Sequence, residues 1–353
     1  MKRSQLQQAI KRNTKIDIPM LIESAPGLGK TSIIEQVHDE ENRHLFSLIL
    51  SMRQPVDLTG LPVPNLEKLT VQWLQCGFLP PSDFEGPCTL FIDELANCSG
   101  MMQTAALSLV HERRIGSYTL PSQCTVIAAT NRASDKAGSN QIITSMRSRF
   151  KCYTFDADLN DWVEWAQMNG IHPYVIAYVR RNPDHLHFFD PRNVQENFPC
   201  PRTWEMISKV EYLLENDPIE KADEIEEFGS AIGNTIALEY TAFRRCYNDM
   251  PDPALIFMDP ENAPLPDQSR PDVCFMLSAS LGKFATSENV GRLIQYLERW
   301  TEEYNVLTIQ DVLRRNKDPK TQQYTDEGKA IQEFNIAKPV GEGILQGVNL
   351  LDA

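Results

Sequence analysis

The stretch SAPGLGKTS, Ser24–Ser32, decides the fold because it has the pattern of a phosphate-binding loop. It follows a short apolar run, Pro19–Ile22, and precedes a segment with a helical pattern, Thr31–His38. Such a loop must curl successive backbone N–H groups around an anion, and glycine permits this curvature because it readily adopts positive φ. The stretch therefore predicts a strand, a nucleotide-binding loop and a helix whose positive N-terminus faces a phosphate.

The positions of the loop have different tasks. Lys30 is placed to reach the β- and γ-phosphates, and the hydroxyl of Thr31 can ligate Mg²⁺. Ser24 stands where the usual motif has its first glycine, so we expect the chain to avoid positive φ there. The alternative is an ordinary glycine-rich turn before a surface helix. The candidate nucleotide contacts form one continuous run: Ala25, Pro26, Gly27, Leu28, Gly29, Lys30, Thr31 and Ser32.

Polar residues follow two further apolar runs. CTLFIDEL, Cys88–Leu95, reaches Asp93 and Glu94, and TVIAATN ends at Asn131. Ligands of parallel α/β sheets bind at the carboxyl ends of the strands, which predicts that these side chains meet there. Asp93 is a candidate for the Mg²⁺ shell and Glu94 for the base that polarises water. Asn131 could hydrogen-bond the same water or the γ-phosphate. The alternatives are an acidic pair that begins a helix and an asparagine that begins a turn.

Composition narrows the class of protein. The chain has 353 residues, which suits two or three domains, and 42% hydrophobic with 23% charged residues is typical of soluble globular proteins. A net charge of −14 argues against a general nucleic-acid binder and favours protein partners with basic surfaces. The 8 cysteines form no C-x-x-C pair, and no signal peptide or membrane helix is evident. We therefore expect a cytoplasmic protein with reduced thiols and no membrane association.

The pattern along the chain predicts an α/β fold with a five-stranded parallel sheet, because apolar runs alternate with helical segments. From Leu159 the pattern becomes helical. We expect a nucleotide-binding core over residues 1–156, an all-α lid over 157–250 and a helical C-terminal extension over 251–353. The predicted strands are Ile18–Ile22, Leu45–Leu50, Cys88–Ile92, Thr125–Thr130 and Cys152–Phe155, and the predicted helices of the core are Thr31–His38, Gly100–Arg113 and Gln141–Ser148.

Five motifs together resemble those of AAA+ ATPases. APGLGKT, LFIDEL, ATN, SMRSRF and PRTWEMI are similar, in this order, to the Walker A, Walker B, sensor 1, arginine-finger and sensor 2 motifs. IDELANCSGMMQTAALSLVHERRIGSYTLP resembles the MoxR group, where a similar helix ends in a Glu-Arg pair and a short hairpin. The motifs cover roughly Pro19 to Val210. The resemblance implies a P-loop NTPase core that binds ATP and Mg²⁺, a ring of six identical subunits, and a chaperone-like activity on a protein partner, usually one with a von Willebrand-type domain.

The resemblance also implies roles for two arginines. Arg149 matches the finger that reaches a neighbouring subunit's γ-phosphate, with Arg147 as the competing candidate and a solvated helix end as the alternative for both. Arg202 matches sensor 2, and the alternative is an arginine that covers Trp204. Two other functions stay open: a nucleotide-gated scaffold with little turnover, and a DNA-associated motor or loader, which the negative charge disfavours.

Overall fold

The computed structural model describes residues 1–65, 67, 70–74, 77–135, 141–189, 197–220, 222–245 and 249–337. The chain divides into two compact units, Met1–Asp158 and Leu159–Ala353, each of which is described by itself. Within the described ranges, no helix is both long and apolar enough to cross a lipid bilayer.

The first unit alternates helices with strands. A five-stranded sheet forms its centre, and two short hairpins lie outside that sheet. In chain order the elements are α1 (Arg3–Lys15), β1 (Met20–Ser24), α2 (Lys30–Glu40), β2 (His44–Ile49), α3 (Pro55–Thr59), β3 (Leu61–Asn65), β4 (Thr70–Leu74), β5 (Cys88–Asp93), α4 (Gly100–His111), β6 (Arg114–Ile115), β7 (Tyr118–Thr119), β8 (Cys124–Asn131), α5 (Thr144–Arg147) and β9 (Lys151–Phe155).

All pairs in the main sheet are parallel, and the strand order is β2-β5-β8-β1-β9. This confirms the predicted α/β class, and each predicted strand lies within two residues of an observed one. The central strands read as continuous apolar runs because both of their faces are buried. Ser24 pairs with Asn131 across β1 and β8, and Ile49 pairs with Asp93 across β2 and β5. The register therefore brings the ends of β1, β5 and β8 to one edge.

The two faces of the sheet bury separate sets of side chains, as the alternation of strand residues requires. Leu21, Ile92 and Ala128 share one core with residues of α4, including Met102. Ile22, Phe91 and Ile127 point the other way, into a core with α1 and α2. A parallel sheet covered on both faces holds its strand ends rigidly, which suits a site built at those ends.

Three local predictions differ from the structure. The helix expected over Gln141–Ser148 is only α5, Thr144–Arg147, because Ile143, with φ −59° and ψ 140°, is not helical and is the N-cap. The segment after β2, for which no strand is predicted, contains the antiparallel β3–β4 hairpin. The basic N-terminal stretch, to which no element was assigned, forms α1, whose Leu6, Ala9 and Ile10 are fully buried.

The second unit consists of helices around one hydrophobic core that runs from Trp162 to Ile331. Tyr178 and Trp204 are both buried in this core, with their ring centroids 5.4 Å apart. The same core includes residues from both predicted segments, 157–250 and 251–353. Its helices are α6 (Leu159–Met168), α7 (Pro173–Arg181), α8 (Pro201–Leu214), α9 (Glu224–Ile232), α10 (Asn234–Arg244), α11 (Pro253–Met258), α12 (Pro271–Phe284), α13 (Val290–Leu297), α14 (Glu302–Arg315) and α15 (Asp326–Ala337).

A buried histidine makes the stability of this unit depend on pH. His172 caps α7: its Nδ1 accepts a hydrogen bond from the Tyr174 N–H at 3.2 Å, and its Nε2 lies 3.1 Å from Glu215 Oε1. Burial lowers the pKa of His172 to about 4, although the hydrogen bond with Glu215 opposes this. As the pH falls from 6.5 towards 4, His172 becomes protonated in the unfolded chain but stays largely neutral in the folded one, so the folded state loses stability.

We therefore expect a loss of about 3 kcal/mol of unfolding free energy from His172 between pH 7.5 and pH 4. His172→Asn retains a capping oxygen but cannot titrate, so urea denaturation should show a shallower loss for this variant over that range. The control is His111→Asn, which changes an exposed histidine and should keep the wild-type slope. An unchanged slope in His172→Asn would contradict the prediction.

Candidate functional site

The phosphate-binding loop connects β1 to α2 and has the curvature that its glycines allow. Gly27 has φ 80° and Gly29 has φ 77°, and Gly29 is the N-cap of α2. Ser24 is buried, ends β1 and is not among the non-glycine residues with positive φ in the described chain. The serine in place of the first glycine is therefore compatible with the loop, as expected.

Lys30 is held at the mouth of this loop by three oxygens. Its Nζ donates to Ser24 Oγ at 2.9 Å, to Asn131 Oδ1 at 2.9 Å and to the Ala25 carbonyl at 3.4 Å. The bond to Asn131 joins residues 101 positions apart in the sequence and links the loop to the end of β8. The structure thus brings together the lysine and the asparagine that the sequence assigned to the same phosphate.

Thr31 and Asp93 form the second contact of the site. Thr31 Oγ1 donates to Asp93 Oδ2 at 2.8 Å, and the Glu94 N–H donates to Asp93 Oδ1 at 2.9 Å, so both carboxylate oxygens are oriented. A hydroxyl and a carboxylate this close are oxygen ligands of the kind that Mg²⁺ prefers. Within the described residues, no group of three or more His, Cys, Asp or Glu could hold a metal alone. The pair therefore fits an ion that also takes ligands from phosphate and water.

Glu94 has an uncommon backbone conformation. Its φ of 54° and ψ of 38° are left-handed, a conformation that few non-glycine residues adopt and that is often found at functional sites. The buried side chains of Leu95 and Ala96 hold the short 3₁₀ helix that follows. This turn leaves Glu94 exposed at the edge where Asp93 ends β5.

The two candidate arginines of the first unit differ in their partners. Arg149 is exposed and donates to Ser148 Oγ at 2.8 Å, directly before the buried Phe150. Arg147 makes a bidentate ion pair with Glu23, with N–O distances of 2.8 and 2.6 Å. The hydrogen bond to Glu23 raises the pKa of Arg147. Glu23 carried no signal in the sequence, because its partner lies 124 positions away.

An open pocket of about 200 Å³ lies beside Asn131 and the Glu23–Arg147 pair. It joins the end of β8 to the segment before α5. Its lining residues are Glu23, Ala96, Thr130, Asn131, Ala133, Gln141, Ile142 and Arg147.

Arg202 belongs to the second unit, where it is exposed in the first turn of α8. The neighbouring Trp204 is fully buried and donates its Nε1–H to the His185 carbonyl at 2.8 Å, which fixes the start of this helix. The predicted role of Arg202 as a nucleotide sensor stays a prediction.

No protein-family model and no curated protein matches this chain. Among solved structures, it is similar to NtrX from Brucella abortus, with a TM-score of 0.41 and 14% identity over 96% of this chain and 68% of that one. It is also similar to a RuvB mutant from Thermotoga maritima, with a TM-score of 0.40 and 14% identity over 96% of this chain and 94% of that one. For NtrX from Brucella abortus in complex with ATP, the TM-score is 0.40 and the identity is 13%, over 95% of this chain and 67% of that one. Because these likenesses are distant, the function of this chain has to be inferred from its own site.

Proposed function

We propose that this chain is an ATP hydrolase of the AAA+ type that requires Mg²⁺. The observation that carries the proposal is the meeting of Lys30, Asn131, Thr31 and Asp93 at the carboxyl ends of β1, β8 and β5. Lys30 and Thr31 lie at the N-terminus of α2, and Asp93 and the Asn131 amide lie at the ends of β5 and β8. Together, a cation, two oxygens that can ligate a metal and an amide form a set suited to a nucleoside triphosphate.

In this proposal, the γ-phosphate replaces the oxygens that now hold Lys30, and the Lys30 ammonium neutralises phosphate charge. The N–H groups of the loop from Ala25 to Thr31 bind the phosphate chain. Thr31 and Asp93 would hold Mg²⁺, which when bound would stabilise the negative charge of the phosphates. Asn131 orients the attacking water, and Glu94 accepts its proton.

At the level of the assembly, we propose a cytoplasmic ring of six subunits, similar to the MoxR group, in which Arg149 completes the site of the neighbouring subunit. Arg202 senses the nucleotide from the helical lid. ATP hydrolysis then remodels or activates a protein partner, of which a von Willebrand-type domain protein is one candidate. The exposure of Arg149, and the engagement of Arg147 by Glu23, favour Arg149 as the finger.

The proposed hydrolase and the two other functions make different predictions in assays of phosphate release and of DNA binding. Phosphate release from ATP should require Mg²⁺ and stop with a chelator if the chain is a hydrolase. Tight binding without multiple turnovers would favour the nucleotide-gated scaffold. Salt-dependent DNA binding in fluorescence anisotropy would favour the motor or loader, which the net charge of −14 disfavours.

Lys30→Ala tests nucleotide binding. The Lys30 ammonium is the side chain placed on the β- and γ-phosphates, so its loss should weaken ATP binding by roughly 10- to 150-fold, below detection by calorimetry at micromolar protein. The fold should persist, because Lys30 is half-buried at the start of α2 and belongs to neither core of the first unit. Lys15→Ala removes a lysine that is 71% exposed on α1 and should leave the affinity unchanged. Unchanged ATP affinity in Lys30→Ala would contradict the proposed nucleotide site.

A further inference from the structure

The ion pair between Glu23 and Arg147 joins two parts of the first unit that have different tasks. Arg147 Nη1 donates to Glu23 Oε1 at 2.8 Å, and Arg147 Nη2 donates to Glu23 Oε2 at 2.6 Å. The Glu23 side chain is 14% exposed and that of Arg147 is 51% exposed. A two-point contact fixes the orientation of the guanidinium as well as its distance, which a single ion contact does not.

At one end of this pair lies the phosphate-binding loop. Glu23 is the residue before Ser24, and Ser24 Oγ accepts a hydrogen bond from Lys30. Glu23 lies inside β1, where it pairs with Thr130 of β8 and Thr154 of β9. A change in the contacts of Lys30 therefore acts one residue from Glu23.

At the other end lies the segment that carries the exposed Arg149. Met146 and Phe150 are buried in the same core and hold this segment at both ends. Between these anchors, Arg147 binds Glu23 and Arg149 extends into solvent. Met146, Arg147 and Phe150 are therefore fixed by their contacts, and the backbone that they hold sets the direction of the Arg149 side chain.

We propose that Arg147 is a positioning residue, and that its contact with Glu23 couples the nucleotide loop of one subunit to the finger which that subunit offers to its neighbour. This inference rests on the proposed function, because it needs Arg149 to act in a neighbouring site. ATP in the loop draws Lys30 away from Ser24, β1 adjusts at Glu23, and Arg147 transmits the change to the backbone of Arg149. The position of Arg149 that each subunit offers to its neighbour would therefore depend on whether that subunit has ATP bound.

An isolated surface ion pair would have no such effect. Exposed pairs contribute little to stability, and their loss does not alter a distant reaction. The chain offers a matched control in Lys11 and Glu40, which pair at 2.8 Å and in which Glu40 is also 14% exposed. Arg147→Lys keeps the charge of Arg147 but loses the planar fork, so it separates positioning from simple charge pairing.

Turnover measurements test the coupling to Arg149. We expect Arg147→Lys and Glu23→Gln each to lower kcat by about 10- to 100-fold, the size expected for a misplaced catalytic group, with ATP affinity within about twofold of wild type. In an Arg149→Ala background, Arg147→Lys should cause no further loss, because the group that it positions is absent. Glu40→Gln should leave kcat unchanged.

A thiol reaction tests the same coupling without activity. Cys152 is exposed, and its Sγ lies 4.0 Å from the Arg147 carbonyl and 3.7 Å from that of Phe150. A slowly hydrolysed ATP analogue should change the rate at which a chromogenic disulfide modifies Cys152 in the wild type. The change should be absent in Glu23→Gln and in Arg147→Lys. Cys152→Ser supplies the background from other thiols, and Lys30→Ala shows the rate without bound nucleotide.

The outcomes distinguish this inference from the proposed function. If Arg149→Ala has wild-type turnover, the finger assignment and the inference both fail. If Arg149→Ala is inactive but Arg147→Lys and Glu23→Gln have wild-type kcat, or if the losses multiply in the double variant, only the inference fails. An equal nucleotide effect on Cys152 in wild type and both variants would also overturn it. Should Arg147→Lys fold poorly, Glu23→Gln, which keeps the shape of the side chain, decides alone.

Discussion

A one-to-one mixture of Arg149→Ala and Glu94→Gln subunits should hydrolyse ATP, although each variant alone should be nearly inactive. In the mixture, an intact Glu94 on one subunit can face an intact Arg149 on its neighbour. Random mixing makes about a quarter of the interfaces productive in a ring of head-to-tail contacts. An arginine finger supplied by a neighbour contributes on the order of 10³–10⁵ in rate, so the recovered activity should be large against the background.

The register of the sheet supports a site composed of two subunits. Lys151 begins β9 opposite Met20, the first residue of β1, whereas Ser24 and the loop lie at the other end of β1. The chain therefore enters the sheet two residues after Arg149, at the amino edge and about 13 Å along the strand from the loop. This placement makes it difficult for Arg149 to reach the γ-phosphate bound by its own Lys30.

Phosphate release from the mixture and from each variant alone is the measurement, together with the specific activity of the wild type over a range of concentrations. Activity per subunit should rise with concentration as rings assemble. Lys15→Ala mixed with Glu94→Gln controls for the presence of inactive subunits, since each Lys15→Ala subunit keeps its own Glu94 and receives Arg149 from either neighbour. If mixing restores nothing while wild-type monomers hydrolyse ATP at the full rate, both the neighbouring finger and the ring are wrong.

Glu94→Gln should bind ATP with Mg²⁺ as the wild type does and retain it unhydrolysed. Glutamine keeps the size of the side chain but cannot accept the proton of the attacking water. The loss of a general base lowers turnover by roughly 10²–10⁴-fold. The left-handed backbone of Glu94 should persist, because glutamine and glutamate have the same branching at Cβ and the turn is fixed by the buried Leu95.

Single-turnover hydrolysis and ATP affinity, measured on the same preparation, separate the two effects in Glu94→Gln. Glu112→Gln changes an exposed glutamate after α4 and should match the wild type in both. Turnover of Glu94→Gln within about twofold of wild type would place the base at another residue. A parallel loss of ATP affinity would show that Glu94 binds nucleotide instead.

The central strands β5 and β8 were predictable because their apolar runs are continuous, a pattern typical of strands buried on both faces. The β3–β4 hairpin was not, since Pro62 and Pro64 lack the N–H groups that strands normally donate. The composition of segment Gln141–Ser148 predicts a helix. Tertiary contacts override this locally: the Ile143 N–H donates to the Gln103 side chain at 2.9 Å, and the helix begins only afterwards.

The sequence could predict those residues of the site that lie at the ends of strands or in the phosphate-binding loop. Lys30, Asp93 and Asn131 could be placed together because the carboxyl ends of parallel strands share one edge. The roles of these residues in hydrolysis stay predictions. The bond between Glu23 and Arg147 could not be foreseen, because neither residue has a sequence pattern that fixes the separation of 124 positions between them.

The strand order has a consequence for how the chain is made. β1 is synthesised first among the strands, yet both of its neighbours, β8 and β9, come more than 95 residues later. At roughly 5–20 residues per second, Leu21 and Ile22 stay without their sheet partners for several seconds or longer after leaving the ribosome. Pairings this distant in sequence also form slowly in the free chain. During synthesis, Leu21 and Ile22 therefore lack the sheet partners that bury them in the folded chain.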